Sequence, residues 1–351
     1  MLTLPIFIGV VLLAIANYFF TGWFIRYAMV KRITDVPSER SSHTTPTPRG
    51  GGVGFVIFTL SGLALYSAWR GCLLEPEILA LIGSSAIMGL LGWSDDKQDL
   101  SSTVRLSVHV IAAVIVIVLI GQLSVFYIPW LIESPVGITG MFLTLLWLTG
   151  VTNIYNFMDG VDGIASVQAL SASAGWMVLA YLWQEPLLIV INLILFATVS
   201  VFLLHNWSPA RIFMGDVGSV FLGFFFGVMP FLASNISIQL GIGEGIWVAA
   251  IFLWPFLFDG AFTLIRRFYR GDNIFKAHRS HLYQRLNIAG WEHGSISILY
   301  LGFSVFSAII AITFFYSGEA IRAVLIVMLF LLSFLYAQIV DTLERKSRQV
   351  G

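Results

Sequence analysis

Charge is what this chain has least of. Lysine, arginine, aspartate and glutamate together make up 11% of its 351 residues, where soluble chains carry roughly 25%. That scarcity excludes an ordinary soluble domain. Cysteine is nearly missing too. The single Cys72 cannot form an internal disulfide, and a zinc site would have no set of thiols to draw on. The glycine-rich stretch "RGGGVGF" at 49–55 has no Gly-Lys-Ser/Thr ending and no preceding strand, so it is neither a P-loop nor a dinucleotide turn. The first 25 residues lack a basic start and are followed at once by Arg26, Lys31 and Arg32, which favours a retained first span over a cleaved signal peptide.

What is present is apolar. Hydrophobic residues make up 58% of the chain, in continuous runs of the roughly 20 residues that cross a bilayer as helix. A membrane barrel would show alternating segments of about ten residues instead. The runs predict an all-α, polytopic membrane bundle of about eleven spans, near 3–25, 51–69, 77–93, 104–121, 139–157, 164–183, 187–205, 217–234, 244–265, 295–316 and 320–340. The whole of 1–351 reads as one integral-membrane unit. No internal repeat or low-complexity tract interrupts it.

The few charges are sorted. With the N-terminus outside, the inner segments hold 17 of the 19 lysines and arginines, leaving only Arg70 and Arg322. Positive residues concentrate on the cytoplasmic side of membrane proteins, which places the C-terminus in the cytoplasm. All ten aspartates (35, 95, 96, 99, 159, 162, 216, 259, 272 and 341) fall in inner segments or at inner span ends, whereas the outer breaks use only glutamate. A short carboxylate that can approach a metal or phosphate closely explains such a choice. The inner loops 26–50, 94–103, 158–163, 206–216 and 266–294 are therefore expected to form the active face.

Five inner stretches could carry chemistry. In "NIYNFMDGVDGIAS", Asn153, Asn156, Asp159 and Asp162 recur at three-residue intervals; on one helix they would drift about 180°. A break at Gly160 and Gly163 would let them converge, and an Asp–Gly turn is the structural alternative. In "GWSDDKQDLSSTVRL", Asp95 and Asp96 are adjacent, and like charges side by side call for a cation or a retained proton. Lys97 and Arg105 flank them as substrate contacts or plain counter-charges, and Ser101 or Ser102 should cap the fourth span. In "HNWSPARIFMGDVGS", Asn206 and Asp216 lie ten residues apart, Asp216 at a span N-terminus where free amides attract phosphate or where it simply caps. In "FKAHRSHLYQRLN", His278 and His281 are spaced to share a helix face, and the basic segment suits a diphosphate or nucleotide or anchors the inner side. In "RSSHTTPTPRGGG", Arg40, His43 and Arg49 could hold an anionic headgroup. His109 reads as a packed residue.

These four wordings, "SDDKQDLS", "NIYNFMDGVDGIAS", "NWSPARIFMGDVGS" and "AHRSHLYQRL", occur in this order across about eleven spans. In that arrangement the chain resembles the polyprenyl-phosphate N-acetylhexosamine-1-phosphate transferase family, bacterial glycosyltransferase family 4, nearer its WecA- and WbpL-type members than its MraY-type ones. The resemblance implies transfer of N-acetylhexosamine 1-phosphate from a UDP-sugar to undecaprenyl phosphate, with release of UMP, at the cytoplasmic face of the bacterial inner membrane. It implies Mg²⁺, with Mn²⁺ as the substitute, and an initiating step of O-antigen or other envelope polysaccharide synthesis. It leaves N-acetylglucosamine, N-acetylfucosamine and N-acetylquinovosamine open as the sugar, and a homodimer open as the assembly. No nucleic-acid partner is expected.

Carried over by motif, Asp95, Asp96, Asp159 and Asp162 are the expected catalytic acids, with Asp95 deprotonating or orienting the lipid phosphate. Asp216 and Asn156 are the expected metal ligands. Lys97, Arg105, Asn153, Asn206, Arg49, His43, His278, Arg279 and His281 are the expected substrate contacts. The rival reading is a transporter or lipid flippase. It would place ionisable groups near the bilayer midplane and often show repeats.

Overall fold

The computed structural model describes residues 3–35, 46–273 and 278–350. In chain order the elements are α1 (Leu4–Lys31), β1 (Thr34–Asp35), β2 (Thr47–Pro48), α2 (Gly52–Arg70), α3 (Pro76–Gln98), α4 (Ser102–Leu119), β3 (Val125–Ile128), β4 (Ile132–Pro135) and α5 (Thr139–Met158). They continue with α6 (Ile164–Leu182), α7 (Pro186–Asn206), α8 (Asp216–Ile236), α9 (Ile242–Phe252), α10 (Trp254–Tyr269), α11 (Leu282–Ile288), α12 (His293–Tyr316) and α13 (Glu319–Val350). Ten of the helices are long and apolar enough to cross a bilayer, so the all-α, multi-pass expectation holds. Two short antiparallel ribbons, β1–β2 and β3–β4, are the only sheet among the described residues.

Helix starts follow local chemistry. Pro76 and Pro186 open α3 and α7, where the missing amide of proline costs nothing. Ser101 caps α4 by accepting from the Val104 amide, as the sequence led us to expect.

The expected continuous span at 244–265 is corrected. α9 and α10 meet at Leu253 with a bend of 83°. The cause is Pro255 in the first turn of α10, which cannot donate to the carbonyl a turn earlier. Gln168 of α6 takes up part of the loss by donating to the Phe252 carbonyl at 2.8 Å. Just beyond the break, Asp259 of α10 accepts from the Leu282 and Tyr283 amides that open α11.

α8 is the post around which the rest is built. It is almost wholly buried, whereas α1 and α13 keep most of their surface outside the protein core. A run of phenylalanines, Phe221, Phe224, Phe225, Phe226 and Phe231, is fully enclosed along it. Fully burying such a side chain is worth about 1.5–3 kcal/mol in water, but between helices in lipid, close packing supplies the association instead. At the opposite end from Asp216, Arg322 of α13 pairs with Glu244 of α9 and Glu319 and donates to the Tyr127 hydroxyl of β3. That end is closed by an ion-pair lock.

Candidate active site

The first turn of α8 is where separate parts of the chain converge. Gly92 of α3 lets that helix come so close that a Cβ there would collide with the Asp216 carbonyl. The approach brings Asp96 within reach of α8's free amides. Asp96 Oδ1 accepts from the Asp216 amide at 2.9 Å and Oδ2 from the Val217 amide at 3.1 Å. Asp96, supplied from another span, thus satisfies the first amides of a helix that starts 120 residues away. Gly215, at φ +75°, passes over the carboxylate with no room for a side chain.

Arg49 closes this corner. Its Nε meets Asp96 Oδ1 at 2.7 Å and its Nη2 meets Asp216 Oδ2 at 3.1 Å. The backbone holds it there, since the Arg49 amide donates to Ile33 and the amides of Gly51 and Gly52 donate to Phe213 and Met214. Burial alone would lower the Arg49 pKa, but Asp96 and Asp216 outweigh it and hold it above the usual value. The guanidinium stays charged.

From α5, Asn156 spends Nδ2 on Asp216 Oδ1 at 2.9 Å and on Ser219 Oγ at 2.8 Å. Its amide oxygen accepts nothing among the described residues. α5 ends at Met158, and Asp159 follows, half-buried, with no donor to its carboxylate among the described residues. Burial, then the charges of Asp216 and Asp96, push the Asp159 carboxyl up to about 8, although Arg49 pulls the other way. Asp162 has the opposite setting. Burial would raise it, but His293 at 3.2 Å and the Ala210 amide at 3.1 Å hold it below the ordinary carboxylate range.

Arg49, Asn156, Asp159, Asp162, Asn206 and Asp216 line one cavity of about 280 Å³, together with Asp35, Ser219 and Gln284. Asn206 works as a strut. Its oxygen accepts from the Gly163 amide and its nitrogen donates to the Ile212 carbonyl, fixing the loop that follows Asp159.

The remaining candidates stand elsewhere. Asp95 is buried, accepting from the Leu100 amide at 2.7 Å and pairing with Arg105 at 3.1 Å, though close enough to Asp216 for the two to repel. Lys97 lies over the Trp93 ring at 4.1 Å. Asn153 turns back to the Thr149 carbonyl of its own helix. The expected shared helix face for His278 and His281 is corrected: both precede α11, with His281 at its N-cap position. Their rings nevertheless lie 5.0 Å apart. Burial, then His281 and Arg267, lower His278 to about 4. Arg279 is half-buried beside it. His43 and Arg40 lie outside the described residues.

Sequence reasoning missed Ser219, Gln284 and Asp259. Ser219 could have been found three residues after Asp216 on one helix face, and Asp259 as a lone carboxylate in the apolar run "WPFLFDGAF".

The donors facing the cavity are carboxylate and amide oxygens, the set that suits a hard divalent cation. Asp159 without a donor and Asn156 with a spare oxygen, among the described residues, fit that group. Among the described residues no three His, Cys, Asp or Glu side chains form a closed cage. Mg²⁺ usually retains waters and substrate oxygens rather than a full protein shell.

Residues 78–234 match the family model described as glycosyl transferase family 4. The chain is similar to a probable undecaprenyl-phosphate N-acetylglucosaminyl 1-phosphate transferase of Bacillus subtilis, 30% identical over 80% of this chain and 78% of that one. It is also similar to a decaprenyl-phosphate N-acetylglucosaminephosphotransferase of Mycolicibacterium smegmatis, 28% identical over 86% and 80%. A third relative, an undecaprenyl-phosphate alpha-N-acetylglucosaminyl 1-phosphate transferase of Salmonella typhi, is 25% identical over 92% and 88%. With most of its acid-lined cavity drawn from the matched segment, and Asp35, Arg49 and Gln284 added from outside it, the chain belongs to glycosyl transferase family 4.

Proposed function

We propose that this protein transfers an N-acetylhexosamine 1-phosphate from a UDP-sugar to undecaprenyl phosphate and releases UMP, at the cytoplasmic face of the bacterial inner membrane. The observation that carries the reading is the Asp159 carboxylate, without a donor among the described residues, in a cavity that Asp216, Asn156 and Arg49 also line. The reaction joins two anions, and this is the arrangement that can hold them together. The initiating step of an envelope polysaccharide is the natural place for such a transfer.

Asp216, Asp159 and the Asn156 amide oxygen would hold Mg²⁺. When bound, the cation screens the phosphates and stabilises the leaving UMP. Arg49, charged and tethered by Asp96, contributes a guanidinium fork to phosphate oxygens. An oxygen of the lipid phosphate attacks the sugar-bearing β-phosphorus in line. The bond from that phosphorus to the UMP oxygen breaks, and no covalent enzyme intermediate forms. A phosphate monoester has a second pKa of about 6, so the attacking group is already mostly ionised at neutral pH. Asp95, expected from sequence to deprotonate or orient the lipid phosphate, is spent on Arg105 and the Leu100 amide and is assigned no step in the transfer. The segment carrying His278 and Arg279 is assigned to the sugar nucleotide.

Transport across the bilayer would want ionisable groups midway along the spans. These carboxylates stand at helix ends. The test is UMP release by purified protein given undecaprenyl phosphate, Mg²⁺ and each of a panel of UDP-N-acetylhexosamines. One sugar should turn over well, and Asp216→Ala should abolish it. No UMP from any sugar, or near-normal turnover by the Asp216→Ala enzyme, overturns the proposal.

A further inference from the structure

Asp259 is used by nothing described so far, and it has the most donors of any carboxylate in the molecule's described part. It sits on α10, 1% exposed, just beyond the Pro255 break. Its Oδ1 accepts from the Leu282 amide at 2.8 Å, His281 Nδ1 at 3.2 Å and Thr263 Oγ1 at 3.1 Å. Its Oδ2 accepts from the Tyr300 hydroxyl at 2.7 Å and the Tyr283 amide at 3.2 Å. A buried carboxylate is retained only when such bonds replace its water.

Those five donors come from α10, α11, α12 and the segment just before α11. Asp259 accepts from the first-turn amides of α11 and from the His281 ring, and the His278 ring lies against that ring, tilted by 33° at 5.0 Å. The same first turn reaches the acidic cavity. The Tyr283 hydroxyl donates to the Phe157 carbonyl at 3.0 Å, two residues before Asp159, and Gln284 is part of the cavity wall. One carboxylate therefore sets both the segment 278–281 and its distance from the cavity.

We infer that Asp259 is a positioning residue for sugar-nucleotide recognition, holding residues 278–284 against the wall of the Asp159 cavity. It touches no substrate; it acts through His281 and the first turn of α11. This rests on the assignment of that segment to the sugar nucleotide.

The test is steady-state kinetics on purified Asp259→Asn enzyme with the UDP-N-acetylhexosamine that turns over best. The amide puts an N–H where an amide hydrogen must be accepted, so the cap is lost with almost no change of volume. KM for the UDP-sugar should rise about 10–100-fold, the usual cost of removing an orienting partner. The kcat and the KM for undecaprenyl phosphate should stay within about threefold on the same scale. Amide exchange should accelerate across 282–288. A generally weakened enzyme would instead lose kcat and both KM values together, and that result, or an unchanged UDP-sugar KM, overturns the inference. Should Asp259→Asn not fold, Tyr300→Phe combined with Thr263→Val removes two donors and should raise the same KM by about three- to tenfold; no rise overturns it equally. His278→Ala and Arg279→Ala separate the two readings. If neither moves the UDP-sugar KM, the segment's assignment has failed; if they do and the Asp259 variant does not, the inference alone has.

Discussion

Asp159 and Asp259 are the same side chain in two opposite situations. Both follow the end or break of a helix; Asp259 is buried and Asp159 half-buried. Asp259 has five donors, and Asp159 has none among the described residues. Around Asp259 stand hydroxyls, amides and an imidazole; at Asp159 burial, then the charges of Asp216, Asp96 and Asp162, push the carboxyl up to about 8. A carboxylate whose lone pairs are all filled holds the fold together. One left facing its own kind is costly to the fold, and such a cost is tolerated where a ligand removes it.

The sharpest way to break this comparison is Asp159→Asn. Turnover should fall on the order of 100- to 1,000-fold, the scale of losing a group that works on transition-state charge, while the cation-free protein should melt at a higher temperature than wild type. Lower activity with lower stability would mean that Asp159 is structural like Asp259. Next in size is Arg49. Arg49→Lys keeps a charge but cannot reach Asp96 and Asp216 at once, and should cost about tenfold or more in turnover; full activity would show that only the charge matters.

A smaller effect separates the two by pH. Asp159 titrates near 8 when folded and near about 3.9 when unfolded. Between those values the folded state keeps a proton that the unfolded state releases, so stability must decline as pH rises through the window. Melting temperatures of cation-free protein in detergent should fall from pH 5 to 8, less steeply in Asp159→Asn and less steeply with added Mg²⁺. A slope indifferent to both would remove Asp159 from the account. Smallest of all, Lys97→Met should leave turnover alone and lower the melting temperature by no more than about 2 °C, since an exposed cation–π contact is worth about 0.5–1 kcal/mol. A marked loss of activity would put Lys97 back in the site.

The spans were legible because apolar runs of that length have few other uses. The predicted 51–69 and 139–157 became Gly52–Arg70 and Thr139–Met158. The break at Leu253 was hidden because the residues on both sides of Pro255 are equally apolar. Within the site, Asn156, Asp159, Asp162, Asn206, Arg49 and Asp216 could be named in advance from their motifs, and the structure brings them to one cavity. Asn153 could not be separated from them by spacing; the helix simply carries it past. Least legible were the remote caps. Asp96 reads as half of an acidic pair, and only the contact between α3 and α8 shows that its oxygens belong to another helix's amides. The pairing of Asp259 with α11 likewise depends on where a bent helix points.

The position of α8 has a consequence for how the protein lives with its membrane. Bilayers differ in thickness, and spans in contact with lipid respond by tilting. The helix that carries Asp216 is shielded from that by its neighbours on every side, so the adjustment falls on α1 and α13, whose flanks face outward. Changes in lipid composition should reach the outermost helices first and the cavity last.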